Sequence, residues 1–258
     1  MAPPSPGGRL KGGCKDWSIG GRRGKVGGRA TLRALGVTLI ASGALGVGSV
    51  TVTSGNAGAS TYVVNDCSGS PTDTVSLPYA LAHASPGDTI DFSVSCPAST
   101  PIIVSSPMTV SQSLNLTGPG ASALVVSGNN ASQVLVVDSG VTASIPGITI
   151  EDASHEGVGG AIHNSGTLTI TDCAFSDNRA PPLGNGGAIA NSGTLSVVDS
   201  QVTGNGSGND GGAIDNADGL FSSRSGTLAV TGSTFTNDFS ADGGAIDNGE
   251  GVGPDRSR

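Results

Sequence analysis

One six-residue phrase is written four times in this chain: Gly159-Gly160-Ala161-Ile162-His163-Asn164, Gly186-Gly187-Ala188-Ile189-Ala190-Asn191, Gly211-Gly212-Ala213-Ile214-Asp215-Asn216 and Gly243-Gly244-Ala245-Ile246-Asp247-Asn248. Successive copies start 27, 25 and 32 residues apart. No single copy can enclose a core, so a period of this size has to fold as stacked units, each covering the apolar face of the next. The sequence between the copies repeats as well. Gly166-Thr167-Leu168-Thr169-Ile170 returns as Gly193-Thr194-Leu195-Ser196-Val197 and Gly226-Thr227-Leu228-Ala229-Val230. After a corner come Phe175-Ser176-Asp177-Asn178, Val202-Thr203-Gly204-Asn205 and Phe235-Thr236-Asn237-Asp238.

Each repeat thus supplies three short runs with strand alternation, joined by turn residues. Three strands in roughly 25 residues, each pairing with its counterpart one repeat later, describe an all-β fold. The expected architecture is a right-handed, single-stranded parallel β-helix, a pectin-lyase-like solenoid with coils about 4.8 Å apart. Identical positions then lie above one another. Ile162, Ile189, Ile214 and Ile246 form one internal ladder, and Leu168, Leu195 and Leu228 another. The glycine pairs Gly159/Gly160, Gly186/Gly187, Gly211/Gly212 and Gly243/Gly244 supply the positive φ of a tight corner. Asn164, Asn191, Asn216 and Asn248 take another corner, where their amides can bond turn backbone or stack. Cys173 falls inside, level with Ser200 and Ser233, as a small core filler. An insertion over 217–225 interrupts the third repeat and should bulge outward, the first place to look for a binding face.

The chain divides into four stretches. Residues 1–59 read as an export segment: basic and Gly-rich over 9–33, apolar and uncharged over 34–52, then Asn56-Ala57-Gly58-Ala59-Ser60, with cleavage expected after Ala59. A membrane anchor is the competing reading; Gly36, Gly43, Gly46 and Gly48 dilute its apolar run. Residues 60–100 form an N-terminal cap. In it Ser76 caps a short helix through Ala84, Pro78 sits in the first turn, and Pro86-Gly87 stops it. Cys67 and Cys96 flank this segment and are the disulfide candidate of an exported chain, the alternative being two unpaired core thiols. Residues 101–248 make the coils, and 249–258 read as an uncapped or truncated tail.

Residues 1–59 hold eight Lys/Arg against one Asp, whereas 60–258 hold four Arg against nineteen Asp/Glu. An acidic body without lysine argues against nucleic acid or an anionic membrane surface as partner, since both require a basic footprint. No integral span is expected once the export segment is removed. Catalytic chemistry is equally thin. A uronate lyase needs a positioned base and a hydrolase needs paired carboxylates. The coils offer Arg179 and Arg224, both read as solvated loop charges, and no Asp-Asp pair. His83, His155 and His163 lack metal-ligand spacing. Asp210, Asp215, Asp242 and Asp247 flank the glycine corners and raise calcium, but the Gly-Gly-x-Gly-x-Asp pattern of calcium-stacked rolls is missing, so they read as turn residues. Neither a catalytic set nor a cofactor is expected.

The Gly-Gly-Ala-Ile phrases, alternating with Phe175-Ser176-Asp177-Asn178 and Phe235-Thr236-Asn237, resemble the GGAI/FxxN repeats of chlamydial polymorphic outer membrane proteins. The helix at Ser76 to Ala80, Asp88-Thr89-Ile90-Asp91-Phe92, Gly118-Pro119-Gly120-Ala121 and Val126-Ser127-Gly128-Asn129-Asn130 are similar to the N-terminal part of CSLREA-type β-helix proteins, with Val75 and Pro78-Tyr79 departing from that pattern. The resemblance implies a bacterial protein that is secreted or at the cell surface, adhesin-like, displaying turn loops to a surface glycan or a host or cell-surface protein. A polysaccharide lyase or hydrolase on the same coil is the alternative. Oligomeric state is left open.

Overall fold

A computed structural model describes residues 58–217, 226–241 and 244–249. The expected export segment up to residue 57, residues 218–225 of the insertion with Arg224, Asp242, Gly243 and the tail beyond 249 lie outside the described residues. The described chain winds as stacked coils around three parallel sheets. Sheet I has seven strands: Thr61–Val64, Thr89–Phe92, Leu114–Thr117, Thr142–Pro146, Thr167–Thr171, Thr194–Val198 and Thr227–Thr231. Sheet II has six: Met108–Val110, Leu135–Val137, Ile162–Asn164, Ile189–Asn191, Ile214–Asp215 and Ile246–Asp247. Sheet III also has six: Ile102–Ile103, Val125–Ser127, Thr149–Glu151, Ala174–Ser176, Gln201–Thr203 and Thr234–Thr236.

Register is set by the repeats. Ile162 pairs with Ile189, Ile189 with Ile214, and Ile214 with Ile246, while Leu135 and Met108 continue that column toward the N-terminus. Leu168, Leu195 and Leu228 form the column of sheet I. In sheet III the column is Ile102, Val126, Ile150, Phe175, Val202 and Phe235. A slip of one residue would turn each of these side chains outward, so the alternation holds the stack in one register. Burial is complete in the middle coils and falls off in the last described one: Leu195 is fully enclosed, whereas Leu228, Phe235 and Ile246 are half-buried.

At the other end the helix Leu77–His83 packs against strand Met108–Val110, with Leu77 and Leu81 buried. The Ser76 hydroxyl accepts from the Tyr79 N–H at 3.3 Å, and Pro78 occupies the first turn. The helix therefore stands where sheet II would otherwise present a bare edge. Cys67 and Cys96 are joined as a disulfide with Cα atoms 5.6 Å apart, and the Asp88 carboxylate accepts from the Ser60 and Ser85 N–H groups. Cys173 is buried, its N–H donating to the Ser200 hydroxyl, whose own N–H donates to Ser233. Among the described residues no helix is long and apolar enough to cross a membrane.

Candidate functional site

The glycine pairs prove to have divided roles. The first of each pair, Gly159, Gly186 and Gly211, has φ near +60°, and in the last copy Gly244 does too. The second, Gly160, Gly187 or Gly212, needs no left-handed backbone. It needs space, because a Cβ on Gly187 would overlap the Gly212 carbonyl and the Gly206 backbone. The corner also doubles back on its own strand: a Cβ on Gly211 would meet the backbone of Ile214 and Asp215.

Asn164, Asn191, Asn216 and Asn248 form a continuous amide ladder. Each Nδ2 donates to the Oδ1 one coil on: Asn164 to Asn191 at 2.7 Å, Asn191 to Asn216 at 2.6 Å, and Asn216 to Asn248 at 2.5 Å. The same nitrogens reach the turn carbonyls of Gly166, Gly193 and Gly226. The Asn164, Asn191 and Asn216 side chains are fully buried, in the column that Val137 and Val110 occupy nearer the N-terminus. A second ladder runs beside sheet III, where Asn178 donates to Asn205 at 2.9 Å and Asn205 to Asp238 at 2.8 Å. Its signal was present at the fourth position of each Phe or Val motif, but the change from Asn to Asp in the last motif obscured it.

On the opposite side of the sheet II strand the picture reverses. Column positions His163, Ala190, Asp215 and Asp247 lie between the inward Ile and Asn columns. Alternation assigns them to solvent. Asp215 is nevertheless 0 % exposed, and neither of its carboxylate oxygens has a hydrogen-bond partner. The Asn185 side chain and the Ala217 N–H approach without closing a hydrogen bond, while Asp247 and Asp210 add like charge. Burial first, then those two carboxylates, pushes the Asp215 carboxyl up to about 7. Asp215, read from the sequence as a turn residue, instead closes the strand Ile214–Asp215 and is buried, with Asp210 and Asn185 of the neighbouring loops beside it.

That loop builds a fourth ladder. Arg179–Ala180 pairs with Gly206–Ser207, and bridges at Ser154 and Phe239 extend the column in both directions. The Phe239 ring lies over Gly206, where any side chain would collide with it, and the Arg179 guanidinium sits 5.2 Å from the ring centroid. Phe239 is 51 % and Leu183 68 % exposed, and Arg179 is the single Lys or Arg among the described residues. On the outer side of the corner between sheets I and III, Asp172 and Asp199 line one groove of about 520 Å³ with Thr149 and Gln201. Both aspartates have positive φ, at 52° and 47°, where Asp is tolerated better than most residues. Adjacent coils thus bring together two carboxylates that are no pair in sequence.

Residues 172–192 match the Chlamydia polymorphic membrane protein repeat. No curated protein and no solved structure matches the chain. The polymorphic membrane protein repeat runs from Asp172 in the groove through Phe175, Asn178 and Arg179 to the Gly186/Gly187 corner and Asn191, a little under one full coil. It therefore contains the internal Phe, one member of each amide ladder and the start of the outer loop. This repeat and the parallel β-helix together fit a surface-exposed β-helix protein, and the repeat points to the outer membrane or cell surface. Among the described residues no three His, Cys, Asp or Glu side chains converge as a ready-made metal cluster.

Proposed function

We propose that the protein is a non-catalytic, adhesin-like β-helix whose outer loops bind a surface glycan or a protein at another cell's surface. One observation supports this reading: the outer ladder holds the Phe239 ring half in water with the single described Lys or Arg side chain over it, and Leu183 is exposed in the loop after Arg179. An exposed aromatic with a guanidinium over its ring is a common contact element for sugars and for carboxylate-bearing partners. Secretion through the segment over 1–59 belongs to the same proposal. The test is a glycan and cell-surface binding screen of the secreted chain, with Phe239→Ala and Arg179→Ala compared against deletion of 217–225. Tenfold or greater loss with the first two variants supports the outer ladder. Loss with the deletion alone moves the binding face to the insertion, and no binding to any surface ligand sinks the adhesin reading.

The Asp172/Asp199 groove gives the alternative, a polysaccharide hydrolase on the same coil, a specific footing, since two carboxylates on adjacent coils line one outer face. Release of new reducing ends from an acidic or neutral polysaccharide, abolished by Asp172→Asn or Asp199→Asn, would establish it over the binding role.

A further inference from the structure

The outward positions of sheet I repeat as regularly as its core. Thr142, Thr167, Thr194 and Thr227 stand in register on four successive strands, and all four are exposed. Two residues along, Ser144, Thr169 and Ser196 form a second rank that Ala229 continues. A third rank holds Thr171 and Thr231, with Pro146 and Val198 as their counterparts. Among the described residues none of these hydroxyls bonds to the protein, so each keeps its full capacity for an outside partner. The face is also uncharged. From strand Leu114–Thr117 to strand Thr227–Thr231 no outward position holds an acid or a base, whereas the corresponding positions of sheet II include Asp215 and Asp247, and those of sheet III include Glu151.

Threonine is stiff at χ1, so each side chain holds its methyl and hydroxyl in a fixed relation to the strand. Ranks lie about 6.6 Å apart along a strand, and successive coils about 4.8 Å apart across it. The result is a two-dimensional lattice of hydroxyls set among methyls, and only a ligand that repeats in the same two directions can use all of it. A crystalline polysaccharide would call for aromatic rings against its sugar planes, and no outward position of sheet I holds one. Ordered water calls for what this face supplies: hydroxyls that enter a hydrogen-bond net, and methyls that leave the waters above them bonded to one another. The two spacings are comparable to the oxygen repeats on a prism face of hexagonal ice. We infer that the outer face of sheet I binds ice through its threonine ranks. The site is independent of the adhesin reading, which rests on Arg179 and Phe239 of the outer ladder.

Partition of the full chain into slowly grown ice, with inhibition of ice recrystallisation as a second readout, tests it. The wild type should enrich in the ice, where an inert acidic protein of similar size is excluded. Thr194→Lys and Thr167→Lys, each checked for an unchanged melt by far-UV circular dichroism, should lower the partition about tenfold, because a long charged side chain lifts the lattice off the crystal. Thr203→Lys, exposed on sheet III, and Phe239→Ala should leave it unchanged. Exclusion of the wild type from ice overturns the inference and leaves the threonines as ordinary strand formers. Undiminished partition of both lysine variants of sheet I overturns it as well, and so does retention on crystalline cellulose without retention in ice, which would give the face to a polysaccharide.

Discussion

Two residues adjacent in the chain, Asp215 and Asn216, sit on opposite sides of one strand and meet opposite fates. Asn216 faces inward, where its amide receives a hydrogen bond from Asn191 and gives one to Asn248 and one to the Gly226 carbonyl. Asp215 faces outward, where solvent should have hydrated it, and the returning corner seals it without a donor. An amide can be stacked indefinitely because it carries donor and acceptor together. A carboxylate can only accept, and its stacked neighbour repels it. Inside a solenoid the polarity of a side chain therefore matters less than whether it can complete a bond with its own copy one coil away.

The harshest way to break the comparison is Asn191→Leu. It removes bonds to Asn164, Asn216 and the Thr227 carbonyl at once and strands buried polar atoms above and below. A loss of about 3 kcal/mol or more is expected, read from urea unfolding by far-UV circular dichroism. An effect near zero would mean that water replaces the ladder and that amides have no advantage at this column.

Gly211→Ala comes next, at about 2–3 kcal/mol, since it combines a left-handed φ of 58° with overlap on the Ile214 carbonyl. Its sharper readout is the titration of Asp215 by carboxyl NMR. Lifting the corner should bring that carboxyl down toward its ordinary range, and an unchanged value would show that something other than the corner covers it.

How much of this was legible from residues alone follows from the same geometry. Ile162, Ile189 and Ile214 announced their column because a repeat in register makes each copy predict the next, and the Asn164 series did so for the same reason. The helix at Leu77–His83 was marked by its own cap and proline. Asp215 was hidden because period-two alternation reports which face of a strand a residue takes, and says nothing of what later folds over that face. Asp172 and Asp199 were hidden because their partnership exists only across coils. The glycine pairs were read as one device, but in the first three the first glycine combines a left-handed backbone with close approach, and the second answers to close approach alone.

The pH response gives a third, smaller test. The Asp215 carboxyl has an ordinary value of 3.8 and a folded value of about 7. Because the folded value is the higher one, its contribution is fully present below about pH 4 and is lost as pH rises toward 7, after which the curve is flat. The unfolding free energy should fall across that window by an amount on the order of 1–3 kcal/mol. Asp215→Asn should flatten the profile, and a slope that survives the substitution would assign the response to another group.

Smallest is Asp238→Asn, which extends the second ladder with an amide. Oδ1 of Asp238 already accepts from the Asn205 backbone and side chain, while Oδ2 is buried without a partner. Burial holds this carboxyl above its usual range, the bonds from Asn205 opposing it. Replacing it should stabilise the chain at neutral pH by about 0.5–1 kcal/mol in the same denaturation assay. Destabilisation would mean that the charge itself serves the corner.

The Asn164 to Asn248 ladder has one more property, which lies in its sense. Every link points the same way, with the nitrogen of an earlier turn reaching the oxygen of a later one. Such a chain of dipoles is a vector, in which every winding offers an N–H onward and an oxygen backward. A coil added at either end in the same sense completes one further link, whereas a turn added in the inverted sense would set two nitrogens, or two oxygens, against each other.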